Sequence, residues 1–143
     1  MNKISKIAFG AMAISGFAFT AAHAEKITLK ADLTAAQEVP PTTSMGKGMA
    51  TVTVDTATKE VTWKVEYSGL TGDALAAHIH GPADAGANAG VEVNLGAGGM
   101  KNPLEGSMTV DDAKLADITG GKTYVNVHTA ANKGGEIRGQ LKK

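Results

Sequence analysis

The chain contains no cysteine. A disulfide framework and a thiolate metal site are therefore both excluded, and with them a blue-copper centre, whose copper needs a cysteine sulfur. Basic excess is missing too: 14 Lys and Arg balance 14 Asp and Glu, and Arg138 is the sole arginine. Such a balance argues against nucleic acid as a partner. Aromatic residues make up 4% of the chain against 18 glycines. That composition, in a chain whose apolar residues alternate, favours short strands joined by tight turns over a helical bundle.

Long apolar runs are also absent, with one exception near the start. Lys3 and Lys6 precede an apolar stretch from Ile7 to Ala22, and Ala22-His23-Ala24 has the small-x-small form of a processing site. The pattern is that of a secretory signal peptide over residues 1–24, too short for a good membrane span. Cleavage there leaves residues 25–143 as a single exported domain with no membrane span. The mature chain then has 12 basic against 14 acidic side chains, a formal charge of 12 − 14 = −2. Cleavage after Ala22 instead would make His23 the mature N-terminus, adding an amine and an imidazole for a metal ion.

What remains reads as β-structure. Ile27, Leu29, Ala31 and Leu33 alternate with Thr28, Lys30 and Asp32, as a half-buried strand requires. Pro40-Pro41 ends regular pairing, and a loop runs to about Gly46. The stretches 48–55 and 61–68 form a hairpin around 55–59. Val61, Trp63, Val65 and Tyr67 share one face, which puts Trp63 in the core with an indole N–H that needs a partner. Further strands fall at 77–80, 91–95, 104–110, 123–129 and 136–141. Residues 111–118 form one short helix, acidic at its start and followed by Gly120-Gly121. The expected fold is all-β, an antiparallel Greek-key sandwich or flattened barrel of about eight strands with one short helix.

Three histidines stand out in this frame. His78 and His80 are one residue apart on a strand and so point to the same face, about 7 Å apart along the backbone. His128 lies on another strand, where Val125 and Val127 take the inward positions. If the two strands are close, His78, His80 and His128 converge outside the sheet and can hold one metal ion, since imidazole suits copper, zinc and nickel alike. A fourth position is left for water, a substrate or a loop carboxylate such as Asp84, although Asp is common in turns for backbone reasons alone. Glu92 and Asn126 are candidates to orient a ligating imidazole. The small, polar loop 81–90 begins beside the site and reads as mobile. At the C-terminus Ile137 and Leu141 face inward, while Glu136, Arg138 and Gln140 face out; Arg138 is expected to pair with Glu136 or another sheet carboxylate, the alternative being that it attracts an anion toward the site.

Four stretches, TAAQEVPP at 34–41, AHIHGPA at 77–83, YVNVHT at 124–129 and GGEIRGQL at 134–141, together resemble the chordin-type (CHRD) domain family. AHIHG also resembles the copper-binding strand of copper/zinc superoxide dismutases, which implies a dismutase-like Greek-key barrel with His78 and His80 as the pair and His128 as the later ligand. Counterparts of the bridging and zinc histidines of that family are missing. The resemblance thus implies a mononuclear site, with copper as the leading ion and zinc as another. Three functions follow: a periplasmic or secreted copper-binding protein for metal buffering, delivery or tolerance; a copper oxidoreductase of dismutase type; or an extracellular module that binds protein or matrix without metal. The protein partner stays open.

Overall fold

The structure is a computed structural model and describes residues 23–143. All but the last two residues of the expected signal peptide lie outside the described residues. Eight strands follow in chain order: β1 (Lys26–Thr34), β2 (Lys47–Asp55), β3 (Glu60–Ser68), β4 (Ala74–His80), β5 (Val91–Asn94), β6 (Leu104–Thr109), β7 (Tyr124–Thr129) and β8 (Ile137–Gln140). One helix, α1 (Asp112–Thr119), joins β6 to β7, and a single 3-10 turn, Ala35–Gln37, follows β1.

The strands form one antiparallel sheet, in the order β5-β4-β7-β8-β1-β2-β3-β6, curled into a half-barrel. The alternation seen in the sequence sets its inner face. Leu29 and Leu33 of β1, Val52 and Val54 of β2, Val61 and Val65 of β3, Ile79 of β4, and Val125 and Val127 of β7 are fully buried in one core. Each fully buried side chain of this size contributes about 1.5–3 kcal/mol over its exposed state. Asp111 caps α1 by accepting a hydrogen bond from the Lys114 amide at 2.9 Å, and Ile118 closes over the core. Trp63 takes its expected core position beside its cross-strand partner Gly106, where a Cβ would collide with the indole ring. Its indole N–H has no hydrogen-bond partner, contrary to expectation.

What positions the site is the pairing of β4 with β7 and of β7 with β8. His78 lies opposite Asn126, His80 opposite Tyr124, and Asn126 opposite Arg138. These residues share the outer face, and that face is not left to solvent. The Asn88 amide donates to Val39 O at 3.0 Å, and Gln140 donates to Ala83 O at 2.9 Å, so the segments around 35–41 and 81–90 are tied to each other and to β8. Glu136 and Arg138 are consequently buried, at 0% and 2% exposure, where the sequence led us to expect exposed sheet charges. Among the described residues no helix is long and apolar enough to cross a membrane.

Candidate metal centre

Strand parity and register bring the three histidines together. One nitrogen from each of His78, His80 and His128 lies within 4.8 Å of the others, and all three side chains are half-buried. Ring centroids are 5.4 Å apart for His78 and His80, 4.9 Å for His78 and His128, and 6.2 Å for His80 and His128. His128 sits opposite Ala76, one pleat diagonal from His78, which is why its ring reaches the pair on β4.

Hydrogen bonds assign the tautomers. His80 Nδ1 lies 2.9 Å from Ala89 O, and His128 Nδ1 lies 2.9 Å from Lys133 O. A carbonyl only accepts, so both Nδ1 atoms carry the proton and both Nε2 atoms keep a lone pair. His128 Nε2 accepts from His78 Nδ1 at 3.0 Å. Two nitrogens bound tetrahedrally to one ion at about 2.0–2.1 Å stand roughly 3.3 Å apart, so an ion entering here would need a slight widening of this contact and transfer of the His78 proton from Nδ1 to Nε2, which frees the Nδ1 lone pair. His80 Nε2 is buried and has no partner at all. Backbone carbonyls that hold the second ring nitrogen are the usual way a ligating imidazole is oriented.

The electrostatics favour the neutral form of His78 and His128. Burial, followed by the neighbouring His128 and His80 rings, pushes the His78 pKa down to about 4. Burial also lowers that of His128, against the opposing effect of its bond to Lys133 O. A neutral ring is the form that binds a metal ion.

The remaining sequence candidates are placed elsewhere. Asp84 is exposed and bound to Lys122 Nζ at 2.6 Å, outside the cluster. Glu92 neighbours Asp117, Asp111 and Lys114 at α1 instead of an imidazole, and burial, then Asp117, pushes its pKa up to about 7. Asn126 donates to Gly134 O at 3.5 Å, in the turn whose Lys133 carbonyl holds His128. Loop 81–90 is anchored instead of free: besides the Ala89 bond to His80, Arg138 donates to Asn88 Oδ1 at 2.8 Å and to Ala87 O at 2.5 Å. Arg138 therefore pairs with neither Glu136 nor another carboxylate, and the ion pairs among the described residues all involve lysine.

Sequence reasoning missed Tyr124 and Glu38. The Tyr124 ring stacks on His80, with centroids 5.0 Å apart and planes at 4°, and the Arg138 guanidinium carbon lies 3.4 Å from its centroid. Parity alone could have found Tyr124, which shares a face with Asn126 and His128. Glu38 had no such signal, because it reaches the site from an irregular segment. Burial pushes its carboxyl up to about 7, against the pull of Arg138.

Fold and site together define an antiparallel β half-barrel with a three-histidine cluster on its outer face. A CHRD domain family model matches residues 29–141, and the chain belongs to that family. CHRD domains are typically extracellular modules. Comparison with curated proteins and with solved structures gives no match. The dismutase likeness thus rests on the histidine pattern.

Proposed function

We propose that the protein is an exported copper-binding protein that holds one ion through His78 Nδ1, His80 Nε2 and His128 Nε2, for buffering, delivery or tolerance in the periplasm or outside the cell. The observation that carries this reading is His80 Nε2, buried beside two other imidazoles with no hydrogen-bond partner. A buried polar atom left unpaired costs about 1–3 kcal/mol, and a bound ion would remove that cost. Copper leads because it stands at the top of the affinity order for nitrogen sites, with zinc as its competitor.

Binding is favoured over dismutase-type turnover by the position of Arg138. At 2% exposure, stacked on Tyr124, it is not displayed at the surface where a cation would draw an anion inward. A metal-free interaction module is the second reading, favoured by the family's extracellular character. The test is the metal content of protein isolated from the exported fraction without added metal. One copper per chain, lost when His78, His80 and His128 are all changed to Ala, is the expected result; equal content in both proteins would rule the site out.

A further inference from the structure

Arg138 is a buried cation whose hydrogen bonds go to neutral oxygens of Asn88 and Ala87 and whose flat face lies on Tyr124. A charge this deeply buried is ordinarily paired. The nearby carboxylate, Glu38, is itself kept largely protonated by burial up to about pH 7, so it cancels the guanidinium charge only in part. His80 on β4 stacks on the same Tyr124 ring, and β4 and β8 flank β7 on opposite sides. Arg138, Tyr124 and His80 are thus three consecutive layers, and the last of them carries the unpartnered nitrogen.

The histidine cluster contains no carboxylate among the described residues. An ion held there keeps its full formal charge, because three neutral imidazoles cancel none of it. Its repulsion from the guanidinium then scales with that charge. At a separation of about 10 Å and an effective dielectric constant of about 20, one unit of ionic charge changes affinity by roughly tenfold.

Resting on the metal-site reading above, we propose that Arg138, acting across the Tyr124 and His80 rings, is the specificity-determining residue that makes this site prefer a monovalent ion, Cu(I), over divalent ions. Arg138 is a positioning residue in this scheme and touches no ligand atom of the ion. Its stack fixes the His80 ring, and its charge sets which ion is tolerated.

The experiment measures Cu(I) affinity by anaerobic competition with a chromogenic Cu(I) chelator, and Zn(II) affinity by competition with a zinc indicator. Both are measured on the mature protein and on its Arg138→Gln and Arg138→Lys variants. In R138Q the Zn(II) affinity should rise roughly tenfold relative to that for Cu(I), with a lower Cu(II)/Cu(I) midpoint potential, and R138K should restore the wild-type ratio. Equal changes for both ions, or an unchanged potential, would mean that Arg138 only braces the loop, and the proposal would fall. Should R138Q not fold, Glu38→Gln read at pH 8 decides the matter. It removes an ionised carboxylate that partly offsets Arg138, so the Zn(II)-to-Cu(I) ratio should drop, and an unchanged ratio would overturn the proposal. Failure of the metal reading itself looks different: the wild type would bind neither ion in a histidine-dependent way.

Discussion

Glu136 has no exposed surface, yet its carboxyl is held at about pKa 2. Burial alone pushes it up, but hydrogen bonds from Ser44, Thr129 and Thr71 outweigh burial, and Asn132 donates as well. Removing the acceptor strands several buried donors at once. Glu136→Ala should therefore cost about 3 kcal/mol or more in urea unfolding at neutral pH. The folded pKa lies below the unfolded value of 4.5. The stabilisation from Glu136 is thus fully present above pH 4.5 and lost as pH falls toward 2, so the gap between wild type and variant should shrink across that window. Glu38 has the opposite sign. Its folded pKa is raised from 4.5 to about 7, so the cost of ionising it accrues as pH rises between those values. Glu38→Gln should match the wild type near pH 4 and exceed its stability at pH 8 by on the order of 2 kcal/mol. A variant less stable at pH 8 would show that Glu38 is held there as a paired carboxylate.

Among the elements, the turn between β7 and β8 carries more of the site than its sequence suggests. Lys133 O fixes His128, and Gly134 O accepts from Asn126. Gly135 adopts φ +125, where a side chain is strained, and a Cβ there would collide with Glu38 Oε1 and Asn126 Nδ2. Gly135→Ala should lower stability by about 2 kcal/mol or more and weaken metal binding as well, because the turn that orients His128 must shift. Calorimetry and a metal titration on the same preparation would check both; unchanged affinity in a destabilised protein would detach the turn from the site. Most elements were legible in the sequence because a period of two is a direct record of one buried face: Leu29, Val52, Trp63 and Val125 all declare it. The helix was legible from Asp111, which does cap it. What could not be read was cover. Alternation says that Arg138 and Glu136 leave the core face, but not that the segments at 35–46 and 81–90 fold back over them, because that depends on hydrogen bonds such as Asn88 to Val39 between distant parts of the chain.

For the whole molecule, strand order matters more than strand identity. Sheet order places β4 beside β7, some fifty residues apart in the chain, and β8 beside β1, a crossover that no local pattern encodes. The three-histidine cluster was legible only as a condition, that these strands be close, and the sheet meets it. An ion bound to the folded state alone must stabilise the entire half-barrel, by about 2.7 kcal/mol at a hundredfold excess over Kd. A rise in Tm on adding copper, absent when His78, His80 and His128 are all Ala, is the expected outcome. The most direct measurement of the central claim is X-ray absorption on the copper-loaded protein. The account predicts three imidazole nitrogens at about 2 Å, one of them lost in each single His→Ala variant. Copper scattering with fewer imidazoles, unchanged in those variants, would contradict it.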